Sequence, residues 1–262
     1  MLESRQPNYP TPLHLHAAEA IVEFFSEQPG VDAVVLVNSC ARGTATVDSD
    51  LDVAVLVARD LPDAGRARME NSWRSQYAAQ DVYRVFKQSG RFTGVHLDLV
   101  DGRFVPEVWD DGGGPDGFEL GIGNLFAYGL QLWQGTDAFV ELQAEWLPYY
   151  DSTLQQQRLE MCRAACEYDL DHVPFFVGRG LYFQAFDRLY KAFQEFLQAL
   201  FIARRTYPIA YNKWICEQVE QRLGLAALYR QLPQVLEVSK LESAAVLHNA
   251  DILHGLLEQW AC

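Results

Sequence analysis

No run of eighteen apolar residues occurs anywhere in this chain, so nothing in it reads as a membrane span and no membrane partner is expected. The opening Met1–Pro10 holds Glu3, Arg5, Pro7 and Pro10 but no apolar stretch, unlike a secretory leader. Cysteine is sparse and unpatterned. Cys40, Cys162, Cys166, Cys216 and Cys262 are odd in number, scattered and without CxxC spacing, which argues against a disulfide framework and for reduced thiols in a cytoplasm. Cys162 and Cys166 stand one helical turn apart, yet no second pair completes a zinc set, and they read as small core residues. Basic residues are also short: 21 Lys and Arg against 35 Asp and Glu leave a net charge of -14. Gripping a phosphate backbone takes clustered cations, so no nucleic-acid partner is expected. The acidic surplus suits a cationic substrate, a metal ion or plain solubility.

Apolar residues are plentiful. At 262 residues, 49% hydrophobic and 13% aromatic, the chain can bury the core of one large domain or two modest ones. Thr11-Pro12 is a helix start, with a hydroxyl at the N-cap and Pro at the first helical position, and Pro29-Gly30 stops the run. Val31–Val37 and Leu51–Val57 are β-branched and nearly all apolar, as buried strands are. The spacing of Trp73, Tyr77, Val82 and Phe86 predicts one surface helix from Asp63 to about Gln88. Thr93–Val100 alternates as a third strand, and Leu130–Trp133 reads as a short fourth. Asp110–Gly117, with its glycines and Pro115, is a loop without phosphate-loop context. Beyond Tyr150 the pattern turns helical: Ser152–Tyr168, Leu181 to about Arg205, Ala210–Leu223 and Glu242–Trp260. These patterns divide the chain into 1–148, which mixes strands and helices, and a helical domain over 149–262.

The chemistry concentrates in Asn38-Ser39-Cys40-Ala41-Arg42-Gly43, a spacer, then Asp50-Leu51-Asp52. Alternation along a strand puts Asp50 and Asp52 on one face, with Leu51 and Val53 toward the core. Adjacent carboxylates repel at neutral pH, and a divalent cation relieves that cost; Mg2+, a hard ion, prefers their oxygens. Upstream, Asn38-Ser39 begins a short helix whose N–H groups favour a phosphate, with the Ser39 hydroxyl as a further donor. A nucleoside triphosphate held there has its bridging oxygens near a metal on Asp50 and Asp52. On the third strand Asp98 shares a face with His96 and supplies a third carboxylate if the strands are neighbours; a three-carboxylate, two-metal site activates a hydroxyl and stabilises a leaving pyrophosphate. Arg42 is either a phosphate contact or a surface side chain, and Asp48 belongs to the turn.

This arrangement resembles the DNA polymerase β-like nucleotidyltransferase superfamily, marked by Gly-Ser, a spacer and Asp-x-Asp between hydrophobic strands. Small members read Gly-Ser-x-Ala-Arg-Gly followed by Ser-Asp-x-Asp, and NSCARG with SDLD matches except at Asn38, where the family has Gly. The helical half is similar to bacterial two-domain members, in the general layout of aminoglycoside nucleotidyltransferases. The resemblance implies an α+β protein: a nucleotidyltransferase domain with a small mixed sheet flanked by helices, then a C-terminal helical bundle. It also implies transfer of a nucleoside monophosphate, AMP foremost, from a triphosphate to a hydroxyl on a small molecule or a protein. Asp50, Asp52 and Asp98 would be the catalytic metal ligands and Ser39, Asn38 and Arg42 nucleotide contacts. Helical domains of this kind can supply a phosphate-binding Lys and a carboxylate; Lys191, between Asp187 and Glu195 at i,i+4 steps, is the candidate, against plain ion pairing on a helix surface. The alternative is a regulatory or antitoxin-like binding module with little turnover, to which Asn38 in place of Gly points.

Overall fold

Thr11 caps the first helix, α1 (Pro12–Ser26): its backbone is extended, its side chain accepts from the His14 N–H, and Pro12 takes the first helical position. The computed structural model describes residues 6–108 and 113–262. Residues 1–5 of the opening segment, and 110–112 of the loop expected over Asp110–Gly117, lie outside the described residues. After α1 come β1 (Val31–Leu36), α2 (Asn38–Arg42), β2 (Leu51–Val57), α3 (Asp63–Ala79), α4 (Asp81–Lys87) and β3 (Val95–Val100). Then follow α5 (Phe118–Ile122), a π-helical turn (Gly123–Ala127), β4 (Leu130–Gln134) and α6 (Ala138–Trp146). The remainder is helical: α7 (Ser152–Gly178), α8 (Tyr182–Ala203), a π-helical turn (Glu217–Arg222), α9 (Ala226–Tyr229), α10 (Leu232–Leu236) and α11 (Ala245–Trp260).

Two units result. The first comprises Met1–Phe104 and Gly121–Pro148, the second Val105–Leu120 and Tyr149–Cys262. In the first unit the strands form one mixed sheet in the order β3-β2-β1-β4. β1 pairs antiparallel with both β2 and β4, whereas β2 and β3 run parallel. A parallel pair needs a crossover, and α3 and α4 provide it. One face of the sheet is dry: Val34, Leu36, Leu51, Val53, Val55 and Leu99 pack with Ile21 and Phe25 of α1, Met69 of α3 and Phe86 of α4. The other face of β2 and β3 carries Asp52, Ala54, His96 and Asp98.

The expected helix over Asp63–Gln88 is two helices, because Gln80 is extended (ψ 126°) and ends the first. In the second unit α7 continues past Tyr168 and through Pro174, since Leu170 and Val173 stay buried against the bundle. α8 buries one broad stripe, Leu189, Phe193, Phe196, Leu197 and Leu200, against α7 and α11. The helix expected over Ala210–Leu223 begins only at Ile215. Instead the buried Gln218 side chain accepts from the Ile209 N–H and donates to the carbonyls of Ala210 and Lys213 at 2.8 and 3.0 Å, satisfying backbone groups a helix would have used.

Candidate active site

The turn after β1 is set by Asn38, whose φ is +56°. In that region Cβ crowds the following carbonyl oxygen, and only Gly, Asn and Asp enter it readily. Asn38 therefore adopts the backbone geometry that the family's Gly allows. The N–H of Val37, just before it, donates to the Asp52 carbonyl at 3.0 Å, tying the turn to the strand that bears the aspartates. Beyond it the Cys40 thiol is buried and lies 3.8 Å from the Asp50 carbonyl. Burial, then the charges of Asp52 and Asp50, push that thiol up to about 12, so it stays protonated beside the carboxylates. The Ser39 hydroxyl sits beside it. α2 spans only Asn38–Arg42, too short for a large macrodipole; an anion here would meet only the first-turn N–H groups and Ser39.

The loop that delivers Asp50 is held at several points. Asp48 accepts the Arg91 N–H at 3.0 Å, and the Ser49 hydroxyl accepts the Thr46 N–H at 2.9 Å. The Ser49 carbonyl, one residue before Asp50, accepts from Nε2 of His14 at 3.0 Å. A ring nitrogen facing a carbonyl must carry the proton, so Nδ1 of His14 accepts from the Thr11 hydroxyl, 2.8 Å away. Burial holds His14 below its usual pKa, which preserves this neutral tautomer.

Strand register does the rest. Asp52 pairs with His96 and Ala54 with Asp98. Paired residues of parallel strands share a face, so Asp98 stands diagonally across from Asp52 on the face away from the dry core. Asp50, at the strand's entrance, places Oδ2 3.4 Å from His96 Nε2. Among the described residues no three His, Cys, Asp or Glu side chains converge as a ready-made metal cage. The donor set nonetheless fits a hard divalent cation: three carboxylates on one sheet face, Asp50 and Asp52 half-buried and Asp98 exposed, with no Lys or Arg ion-paired to Asp50 or Asp98 among the described residues.

Beside them lies a cavity of about 410 Å3 lined by Asn38, Ala54, Arg66, Asp98, Arg103 and Asn124, among others. It joins the Asn38 turn to Asp98. Arg66, from α3, anchors its guanidinium on the Leu99 carbonyl, and Arg103 donates to the Arg59 carbonyl at 2.8 Å. Arg66, Arg103 and His14 were not expected at the site. α3 also carries Arg68 and Arg74, and nothing in sequence singles out one arginine of a polar helix face. Arg42 Nη2 lies 3.4 Å from the Thr44 hydroxyl. Lys191 belongs to the second unit, with Nζ 3.1 Å from Asp187 Oδ2; Glu195, expected on the same polar stripe, is buried instead.

The mixed sheet thus brings Asp52, on β2, Asp50, just before it, and Asp98, on β3, near the Ser39-bearing turn after β1. Residues 18–103 match the nucleotidyltransferase domain family, consistent with the polymerase β-like superfamily. Among solved structures, a nucleotidyltransferase-like protein from Exiguobacterium sibiricum 255-15 is 13% identical, covering 93% of this chain and 74% of its own, with a TM-score of 0.46. A toxin–antitoxin structure with AMP-PNP is 20% identical over 54% of this chain and 91% of its own, with a TM-score of 0.34. No curated protein matches the chain.

Proposed function

We propose that this protein transfers AMP from ATP to a hydroxyl on a small-molecule or protein acceptor, with Asp50, Asp52 and Asp98 holding Mg2+. The register that sets Asp98 diagonally across from Asp52, on the face where Asn38 and Asp98 share a cavity, is the observation that carries this reading. Bound to these carboxylates, divalent metal ions would supply Lewis acidity for the acceptor hydroxyl and offset charge on the leaving pyrophosphate. Ser39 and the turn N–H groups would hold the triphosphate tail, and Arg66 would add positive charge from the cavity wall. The acceptor oxygen forms a bond to the α-phosphorus as the bond to the bridging oxygen of pyrophosphate breaks. Asp98, exposed and beside the cavity, is positioned to take the hydroxyl proton. Asn38, the departure that pointed toward a non-catalytic module, adopts the φ that Gly would, which favours turnover over mere binding.

The test is incubation with α-labelled nucleoside triphosphates, Mg2+ and a panel of hydroxyl acceptors. Label should reach an acceptor with the wild type and not with Asp50→Asn/Asp52→Asn. Asp98→Asn should slow transfer while leaving triphosphate affinity nearly unchanged. Equal transfer by all three proteins would contradict the assignment.

A further inference from the structure

The strand that carries Asp98 stands at the edge of its sheet. In the order β3-β2-β1-β4, β3 is paired on one side only. Along a parallel ladder successive residues send their N–H and C=O groups to opposite sides. The Leu51 N–H bonds the Gly94 carbonyl at 2.8 Å, so Gly94, His96 and Asp98 turn toward β2, and Val95, Leu97 and Leu99 turn outward. Arg66 of α3 agrees with that direction, for it donates to the outward carbonyl of Leu99. The N–H and C=O of Leu97 have no partner across the edge among the described residues.

An unpaired edge is a template for a further strand, and a groove follows this one. It has a volume of about 300 Å3 and is lined by Leu97, Asp98 and Leu99 of β3 and by Arg66, Trp73 and Arg74 of α3, among others. Leu97 and Leu99 point their side chains to the dry face and Asp98 to the other, so a space touching all three lies against the edge itself. Arg66, Asp98 and Leu99 also line the cavity that reaches the Asn38 turn. The groove therefore meets the candidate active site at Asp98. Its α3 wall is cationic: Arg66 and Arg74 share one carboxylate, Glu70, at 3.7 and 3.9 Å.

We infer that this groove binds an extended peptide segment as an added strand on β3, and that a Ser, Thr or Tyr hydroxyl on the segment is the acceptor. The inference rests on the transfer reading above and names its acceptor class. The outward N–H and C=O of Leu97 match another extended backbone, which supplies both complements at strand spacing; a small hydroxyl compound does not. Residues opposite one another on neighbouring antiparallel strands share a face, with Cβ atoms about 4.5–5.5 Å apart, so the residue opposite Asp98 presents its hydroxyl to that carboxylate. The hydroxyl oxygen bonds the α-phosphorus of ATP, pyrophosphate leaves with the electrons of the broken P–O bond, and the proton passes to Asp98. An acidic residue beside the hydroxyl suits Arg66 and Arg74. Arg66, seated on Leu99, ends the run of open backbone groups, which limits the edge to a short segment and discourages pairing of whole sheets.

The probe is a pool of blocked peptides with Ser, Thr or Tyr fixed at the centre and randomised flanks, incubated with the full chain, Mg2+ and α-labelled ATP. A matching pool, N-methylated throughout, keeps the hydroxyls and cannot pair with a strand edge. The wild type should label the plain pool and not the methylated one. Leu97→Pro removes the outward N–H at an edge position, where Pro is tolerated, and leaves the ladder to β2 intact. It should label the plain pool at least about tenfold less, from one lost backbone hydrogen bond and the bulk of the ring. The metal- and ATP-dependent rise in melting temperature that requires Asp50 and Asp52 should persist in Leu97→Pro, which shows that the variant folds. Equal labelling of the two pools by the wild type would overturn the inference whether or not Leu97→Pro folds, as would equal labelling of the plain pool by a folded Leu97→Pro. Label on small hydroxyl acceptors alone would overturn it and leave the transfer reading standing. Label on no acceptor of either kind would overturn both together.

Discussion

Asn38 and His14 show how single residues shape the site, and both lend themselves to measurement. At φ +56° an L-residue without Asn's local hydrogen bonding pays more than Gly does. Asn38→Ala should destabilise the fold by about 1 kcal/mol or more relative to Asn38→Gly, read from urea midpoints. Asn38→Gly should keep or tighten ATP binding; weakening by about 0.5–1.5 kcal/mol would mean that the Asn38 side chain itself bonds the phosphates. His14 acts through pH. Its folded-state pKa is depressed by burial, so the unfolded chain takes up a proton more readily than the folded one. Stability contributed this way is present above the ordinary value near 6.5 and is lost as pH falls below it. Urea unfolding at pH 7.5 and 5.5 should show wild type losing stability on acidification, and His14→Gln losing less. An identical loss would remove His14 from that role. The Asp50–Asp52 pair was legible in sequence because strand alternation and a nearby turn are short-range features. His14 and Arg66 were not, for each acts through a carbonyl far along the chain, Ser49 and Leu99 respectively.

Among the elements, strands were read more faithfully than helices. β2 runs over Leu51–Val57 as its unbroken β-branched pattern predicts, whereas the break at Gln80 carries no Gly or Pro to announce it. The helix expected at Ala210 is replaced by a loop because Gln218 competes for backbone groups, a contact that periodicity does not register. The segment Val105–Leu120 belongs with the helices for a reason equally distant in sequence. Arg158 of α7 is buried and forms two-pronged ion pairs with Asp116 and with Glu119, while Gln198 and Tyr150 complete Glu119 at 2.9 and 2.8 Å. Such a network fixes position more than it adds stability, but removing its one cation strands two buried carboxylates. Arg158→Met should therefore cost about 3–5 kcal/mol in chemical denaturation. A loss under about 1 kcal/mol would mean that water or protonation replaces the guanidinium readily.

At the scale of the whole molecule, the chain builds two units that interleave in sequence, leaving the first after Phe104 and again after Pro148. The second crossing coincides with a change from mixed to helical patterning that the sequence displays openly. The first does not, because the acids of Val105–Leu120 look like solvated loop residues until Arg158 is placed. The net charge of -14 agrees with the gathering of Asp50, Asp52 and Asp98 on one sheet face. That cluster is the centre of the proposed function. The direct measurement is thermal unfolding with and without Mn2+ and a non-hydrolysable ATP analogue, comparing the wild type with Asp50→Asn/Asp52→Asn. A ligand bound only by the folded state raises the melting temperature by mass action, about 2.7 kcal/mol of stabilisation at a hundredfold excess over Kd. The wild type should show that rise and the double variant should lose it, whereas an equal rise in both would place the metal elsewhere and contradict the account.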